Sequence, residues 1–262
     1  MTRRTFALTA AAAAAARMRA ASKLNIGIGT YSYHGLSMPA MVAQLQLLGI
    51  RQVEMSRGEF MLLSHPGEDR FRAARALFDR AHIDCVSYYA ATIHDANELD
   101  AAIRFAKILG AGNITGDATG AALLKRIDQK CTAASLTFGI HNHYFKTKFA
   151  YESPEDVLRA LDGLSKTVGA TADTGHFASC GYDPVDAIRK LGPYLKLVHL
   201  KDIAKPGGEV NVLLGQGIAK IPQAMRELHR LNFTGLVAIE YEKEGPVDDD
   251  LKQEVAFARQ LA

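Results

Sequence analysis

Histidine and carboxylate side chains recur at the ends of six apolar segments of this chain. The segments end in or are followed by Val53-Glu54-Met55, His94, His141-Asn142-His143, Asp173-Thr174-Gly175-His176, His199-Leu200-Lys201-Asp202 and Glu240-Tyr241-Glu242. Any one of these is weak evidence, because a polar residue at a strand end often caps a helix or satisfies a loop. Imidazole nitrogens and carboxylate oxygens that converge on one point are ligands of divalent metal ions. The recurrence therefore predicts a metal-centred site if the fold brings these ends together.

Eight short apolar or β-branched segments alternate with helical patterns from residue 23 onward. The predicted strands span residues 24–30, 52–55, 85–89, 113–115, 136–141, 168–172, 195–200 and 236–240. The predicted helices span residues 39–48, 71–82, 97–109, 118–134, 154–161, 184–190, 221–231 and 251–261. Ser153 and Asp183 are placed to cap two of these helices. About eight βα units in ~240 residues predict an α/β fold, a single (β/α)8 TIM barrel over residues 23–262, with site residues at the carboxyl ends of the strands.

A doubly wound open sheet is the main alternative fold. Such sheets usually carry a glycine-rich phosphate loop after the first strand. Here Gly27-Ile28-Gly29 lies within the first predicted strand, and neither GxGxxG nor a P-loop pattern occurs. The barrel is therefore the preferred prediction.

The first 22 residues have the pattern of an export signal. Arg3 and Arg4 precede Phe6, an alanine-rich run follows, and the segment contains no acidic residue. Adjacent arginines at this position resemble the twin-arginine type of signal, which is read by a receptor. We therefore expect a protein that is exported to the periplasm and acts on a small molecule. We expect no membrane span, because no apolar run reaches the ~18–20 residues of a spanning helix.

The leader also accounts for the basic charge of the chain. The sequence has 31 basic and 28 acidic residues, a net charge of +3, and four of the arginines lie in residues 1–22. The remaining 27 basic and 28 acidic residues give a net charge of −1. A near-neutral body argues against a nucleic-acid partner. Three widely spaced cysteines without a CxxC motif exclude a disulfide scaffold and a structural zinc site.

Three of the motifs in combination resemble those of the xylose-isomerase-like barrel family. They are Asp173-Thr174-Gly175-His176, Val198-His199-Leu200-Lys201-Asp202 and Ile239-Glu240-Tyr241, in this order on the sixth, seventh and eighth predicted strands. The family holds sugar-phosphate isomerases and epimerases, inosose dehydratases, ketose 3-epimerases and, more distantly, an apurinic endonuclease. The resemblance covers nearly the whole chain after the leader.

The resemblance implies a four-residue metal site. In the ketose epimerases a glutamate, an aspartate, a histidine and a second glutamate bind one divalent ion, and Asp173, His199 and Glu240 match the last three. The first glutamate corresponds to His141 here, so we expect a two-histidine, two-carboxylate set of His141, Asp173, His199 and Glu240. Mn²⁺, Co²⁺, Mg²⁺ and Zn²⁺ all remain open, with two histidines favouring a transition metal.

The resemblance also implies roles for residues around the metal. Glu240 is the expected general base, and His141, His143 or His176 is the expected donor of the returning proton. His176 matches a residue that contacts substrate in the epimerases, and Lys205 falls near a family arginine that contacts the sugar. The other residues expected to contact substrate are His143, Lys201, Glu54 and His94.

The leading functional hypothesis is a metal-dependent sugar isomerase or epimerase, or a related lyase, acting on a keto-sugar or cyclitol through an enediolate. A sugar-binding barrel without turnover is the alternative, because His141 replaces a family glutamate. A metal phosphodiesterase resembling the endonuclease is a second alternative, which the charge of the body disfavours. The sequence does not predict the oligomeric state.

Overall fold

Eight parallel strands close into a barrel in the computed structural model, which describes residues 23–144, 151–208 and 210–262. The barrel strands are β1 (Asn25–Gly29), β2 (Gln52–Met55), β3 (Asp84–Thr92), β4 (Asn113–Asp117), β5 (Thr137–His141), β6 (Val168–Asp173), β7 (Leu195–Leu200) and β10 (Leu236–Ile239). Each pairs with the next in chain order, and β10 closes the barrel against β1 with Asn25 opposite Leu236. The predicted (β/α)8 TIM barrel is therefore confirmed.

Helices follow the strands around the outside of the barrel. They are α1 (Met38–Leu47), α2 (Glu68–Ala81), α3 (Ala96–Leu109), α4 (Ala121–Ala134), α5 (Pro154–Leu161), α6 (Thr174–Ser179), α7 (Pro184–Leu191), α8 (Ile221–Arg230) and α9 (Asp248–Leu261). The short helix α6 was not predicted. A small antiparallel hairpin of β8 (Asp202–Ile203) and β9 (Asn211–Val212) was not predicted either.

Side-chain caps fix where several helices begin, as the sequence indicated. Ser153 forms a capping box with Asp156 at the start of α5, and Asp183 accepts a hydrogen bond from the Val185 N–H at the start of α7. Asp95 caps α3 in the same way. These caps satisfy N–H groups that the first helical turn leaves without intrahelical partners.

Apolar side chains between strands and helices form the core. Phe71 of α2 stacks on Phe105 of α3, with ring centroids 4.1 Å apart, and both pack edge-on against Tyr88 of β3. The alternating strand pattern directs these side chains outward to the helices and the polar set inward or to the rim.

Two strands run further toward the site than the sequence suggested. Strand β4 extends to Asp117 instead of ending at Thr115, and β3 extends to Thr92 with a register shift between Tyr89 and Ala91. Both extensions carry polar residues to the carboxyl end of the barrel.

The export signal predicted for residues 1–22 lies outside the described residues. Among the helices that the structure does describe, none combines the length and the apolar character required to cross a bilayer.

Candidate active site

Four buried side chains meet at the carboxyl end of the barrel. They come from β5, β6, β7 and the residue after β10: His141, Asp173, His199 and Glu240. One potential ligand atom of each lies within 4.8 Å of the others. His141 Nε2 is 2.9 Å from His199 Nδ1, and His199 Nδ1 is 3.2 Å from Glu240 Oε2. This cluster has the donor types and the spacing to hold a divalent metal ion.

Asp173 presents one carboxylate oxygen to the cluster. Its Oδ1 accepts a hydrogen bond of 2.8 Å from the His176 N–H, at the start of α6. Its Oδ2 is buried, has no hydrogen-bond partner among the described residues, and lies 3.8 Å from both His141 Nε2 and His199 Nδ1. Burial raises the pKa of Asp173 to about 6, although the Lys201 ammonium opposes the rise. Lys201 Nζ lies 3.2 Å from this Oδ2 without forming a hydrogen bond to it, and a cation in the cluster would satisfy the buried oxygen directly.

A carboxylate behind the cluster sets the orientation of His199. Glu54 Oε2 lies 2.5 Å from His199 Nε2, and Ser87 Oγ donates to Glu54 Oε1 at 2.8 Å. When Nε2–H donates to Glu54, the Nδ1 lone pair faces the cluster. Burial alone would lower the pKa of His199, but Glu240 and Glu54 raise it well above its ordinary value.

Glu54 was expected to contact substrate, and the structure places it elsewhere. Its side chain is fully buried and contacts His199 on the side away from the cluster. Its position is that of a group that orients a metal ligand.

A second polar chain supports His141. His141 Nδ1 lies 3.0 Å from His143 Nε2, and that nitrogen lies 2.9 Å from Asp117 Oδ2. The Tyr89 ring packs edge-on against His141 at 5.4 Å. Burial, followed by the charges of His143 and His199, lowers the pKa of His141 well below its usual value. A neutral His141 keeps the Nε2 lone pair that a metal requires.

His143 lies in a different place from the one expected, and Asp117 is a site residue that the sequence analysis did not identify. His143 was expected on the substrate, but it is buried between His141 and Asp117. Asp117 was missed, because the fourth strand was predicted to end before it. A longer fourth strand, with Asp117 at its carboxyl end, is the signal that would have identified it.

Lys201 lies among three carboxylates. Its Nζ is 3.2 Å from Asp173 Oδ2, 3.1 Å from Glu240 Oε2 and 3.2 Å from Glu242 Oε2. Burial alone would lower the pKa of Lys201, but these carboxylates raise it well above its usual value, so the group is an ammonium. Gly175 makes room for its chain, since a Cβ at that position would lie 2.7 Å from Lys201 Cγ.

The pKa values of Glu240 and His176 are both lowered, which leaves the first group charged and the second neutral. Burial would raise the pKa of Glu240, but His199 and Lys201 hold it well below its ordinary value, so the group is a carboxylate. Burial, Lys201 and His143 lower the pKa of His176 well below its ordinary value, so this imidazole is neutral. His176 Nε2 lies 3.5 Å from both Lys201 Nζ and Asp173 Oδ2.

A cavity of about 360 Å³ opens beside the cluster. His176, Lys201 and Glu242 line it together with the β8–β9 hairpin and with Tyr144, whose ring stacks on His176 at 5.8 Å. A cavity of this volume is at the lower end of the range for small-molecule sites. The cluster therefore has an adjoining space for a small substrate.

A buried carboxylate holds the loop behind this cavity. Asp202 accepts hydrogen bonds of 2.9–3.0 Å from the N–H groups of Ile203, Gly215, Gly217 and Ala219. Lys201 and Asp202 thus have separate partners. Asp202 fixes the segment that leads from β7 to α8.

Two predicted substrate residues lie away from the cluster. Lys205 is exposed on the turn of the β8–β9 hairpin and is absent from the described cavity lining. His94 is exposed on the loop after β3, where its backbone N–H donates to the Glu98 carboxylate.

Comparison with known proteins gives a family and a group of related folds. Residues 31–261 match the sequence profile of the xylose isomerase-like TIM barrel family. No curated protein sequence matches the chain significantly.

Solved structures with the same fold include several enzymes. A D-psicose 3-epimerase has a TM-score of 0.69 and 15% identity, with 90% of this chain and 99% of that chain covered. The probable 3-DHS dehydratase AsbF from Bacillus anthracis has a TM-score of 0.71 and 14% identity, covering 89% and 98% of the two chains. The IOLI protein, solved with a bound zinc atom, has a TM-score of 0.70 and 14% identity, covering 91% and 95%. Identities this low establish a shared fold.

Proposed function

The chain belongs to the xylose isomerase-like TIM barrel family, and from this premise we propose that it is a divalent-metal-dependent sugar isomerase or epimerase, or a related lyase. Its substrate in this proposal is a keto-sugar or cyclitol. The fold it shares with an epimerase and a dehydratase supports this class of chemistry. Fold alone does not specify a reaction, so the proposal depends on the site.

One observation carries the proposal: the convergence of the buried side chains of His141, Asp173, His199 and Glu240 on one point, beside a small cavity. We assign the metal-holding role to His141 Nε2, Asp173 Oδ2, His199 Nδ1 and one oxygen of Glu240. When bound, the ion would polarise a substrate carbonyl and stabilise negative charge on the neighbouring oxygens. The zinc in the IOLI protein supports a metal in this fold without fixing its identity here.

The remaining groups can hold and move protons. Glu240 is ionised and can accept a proton from the carbon next to the carbonyl. Neutral His176, at the wall of the cavity, offers one N–H and one nitrogen lone pair to substrate hydroxyl groups, and the proton that Glu240 has accepted can be returned to the neighbouring carbon. Lys201 is an ammonium and so can donate hydrogen bonds to substrate oxygens, but it lacks the free amine that Schiff-base chemistry needs.

Elemental analysis of the purified protein and proton exchange in deuterated water test this proposal. We expect about one divalent ion per chain and incorporation of deuterium next to the carbonyl of at least one keto-sugar or inosose. Asp173→Asn should remove the ion and the exchange, while Glu240→Gln should abolish exchange. Lys166→Gln, an exposed change near the other end of the barrel, is the matched control.

The outcomes separate the competing hypotheses. Sugar binding without deuterium exchange would favour the binding-protein alternative. A protein that takes up no divalent ion, and whose Asp173→Asn variant behaves as wild type, would refute the proposal. Product analysis by NMR distinguishes an isomerised sugar from a dehydrated one.

A further inference from the structure

Glu242 stands at the wall of the cavity two residues beyond Glu240. Its Oε2 is 3.2 Å from Lys201 Nζ, and its backbone N–H donates to Asn211 Oδ1 at 3.1 Å. Its side chain is 36% exposed, so the carboxylate faces the space that a substrate would enter. Two contacts thus hold a negative charge at the cavity wall.

Lys201 offers little unmatched positive charge to a ligand. Its ammonium already contacts Asp173, Glu240 and Glu242 at 3.1–3.2 Å. An anionic ligand would have to compete with three fixed carboxylates for one ammonium.

The charge balance of the site depends on Glu242. Asp173, Glu240 and Glu242 contribute −3, Lys201 contributes +1, and a divalent ion held by the cluster would contribute +2. These five charges sum to zero before the carboxylates of Glu54 and Asp117 behind the cluster are added. Without the Glu242 charge the cavity wall is one unit less negative, which would favour a carboxylate or phosphate on the substrate relative to wild type.

The surroundings of the Tyr31 hydroxyl show which sign of charge predominates on this side of the cavity. Tyr31 lies just after β1 on the same rim, and burial raises the pKa of its phenol. The charges of Glu242, Glu240 and Glu244 raise it further and outweigh the opposing effect of Lys201. Among the described residues near Tyr31, the negative charges of the carboxylates therefore outweigh the positive charge of Lys201.

We propose that Glu242 selects uncharged sugars or cyclitols against carboxylated and phosphorylated ones, an inference that rests on the proposed function. Glu242 acts by keeping a fixed negative charge at the wall of the cavity when the cluster is loaded. The lysine beside it holds this carboxylate in place.

Equilibrium binding with a matched pair of probes tests the selection. Calorimetric titrations of Mn²⁺-saturated protein with D-fructose and with D-fructose 6-phosphate give the ratio of the two dissociation constants. We expect Glu242→Gln to shift this ratio about tenfold or more toward the phosphate, by the loss of one charge within a few ångströms of the ligand. Inorganic phosphate, used alone, should show the same gain in affinity.

Glu244→Gln is the matched control, because Glu244 is a fully exposed carboxylate two residues away. It should leave the ratio within about twofold of wild type. A wild-type protein that binds the phosphate more tightly than fructose would overturn the proposal. So would a Glu242→Gln variant that gains no more anion affinity than Glu244→Gln.

The measurement is distinct from the test of turnover. If the protein binds sugars without exchanging protons, the proposed reaction fails while the ratio still reports charge selection. If metal uptake fails, repeating the titrations on the metal-free protein still compares the two variants.

Discussion

The two histidines of the cluster are supported by different partners. Glu54 contacts His199 directly, whereas His141 is backed by His143 and, through it, Asp117. A carboxylate in direct contact raises the basicity of an imidazole more than a neutral neighbour does. Burial, followed by the charges of His143 and His199, lowers the pKa of His141, whereas Glu240 and Glu54 together raise the pKa of His199 against the effect of burial. His141 is therefore a neutral imidazole with a free nitrogen lone pair.

Lys201 should weaken the binding of a metal ion, because its ammonium contacts the same oxygens of Asp173 and Glu240 that face the cluster. Lys201→Met removes that competing charge. We expect the variant to bind Mn²⁺ about tenfold more tightly while losing activity on sugars. Calorimetric titration with Mn²⁺ measures the first effect, and deuterium exchange measures the second.

Lys205→Met is the control for this experiment, because Lys205 is an exposed lysine on the adjoining hairpin. Its affinity for Mn²⁺ should equal that of wild type. Unchanged or weaker Mn²⁺ binding by Lys201→Met would show that the lysine does not compete with the ion.

At the scale of elements, Asp202 fixes the segment from β7 to α8 through four backbone N–H groups. Asp202→Asn replaces one accepting oxygen with an NH₂ group that faces N–H donors. We expect a loss of about 2–4 kcal/mol of unfolding free energy and faster amide exchange over residues 213–219. Urea denaturation and hydrogen exchange measure the two effects.

Asp95→Asn serves as the comparison, since Asp95 is an exposed helix cap and asparagine caps about as well. It should change stability by less than about 0.5 kcal/mol. If Asp202→Asn were equally mild, the loop would be held by other contacts.

The predicted strands and helices agree with the structure wherever periodic apolar residues define them, as in β2, β7 and α5. Elements too short to show a period were missed. Strands β8 and β9 have two residues each, and α6 has six residues with Asp173 as its cap. So few residues do not define a hydrophobic period.

The residues of the site likewise fall into those that the sequence predicts and those that it does not. The four clustered residues follow from their positions at strand ends and from the family motifs. The supporting role of Glu54 depends on which side chains face each other across the barrel, which spacing along one strand does not reveal. Asp117 was missed because the fourth strand was predicted to end two residues too early.

For the molecule as a whole, Glu254 makes stability depend on pH. It lies in α9, its Oε1 accepts the Leu214 N–H at 3.1 Å, and its buried Oε2 has no described partner. Burial, opposed by the Leu214 hydrogen bond, raises its pKa to about 8 from 4.5. Between these values the folded protein holds a proton that the unfolded chain releases. Its contribution to stability is complete below pH 4.5 and is lost as the pH rises through 8.

Glu254→Gln should remove this dependence. Because glutamine resembles the protonated acid, the unfolding free energy of the variant should match that of wild type near pH 4.5 and exceed it by roughly 5 kcal/mol above pH 9. Denaturation curves across this range provide the measurement. Asp249→Asn, an exposed change in the same helix, should follow wild type throughout, and a parallel pH dependence of wild type and Glu254→Gln would exclude the assignment.

We also propose, at this scale, that the protein is exported by the twin-arginine route. Arg3→Lys with Arg4→Lys keeps the charge but removes the paired guanidinium groups that the route recognises. We expect the periplasmic fraction to fall by at least tenfold in a host with this pathway. Arg17→Lys with Arg19→Lys should have little effect, and export that survives the first pair of changes would contradict the proposal.

The hydrogen bonds between Asp202 and the main chain of its loop have a consequence for protein engineering. Because the carboxylate holds main-chain N–H groups, it places few demands on the side chains that the loop carries. Gly215 and Gly217 are exceptions, since a Cβ would lie 2.6 Å from Phe257 Cζ at the first position and 2.3 Å from Asp202 Oδ1 at the second. Leu214 is buried in the core and must be kept as well. The exposed Gln216 is therefore the position at which this segment can be diversified while Asp202 still holds the main chain around it.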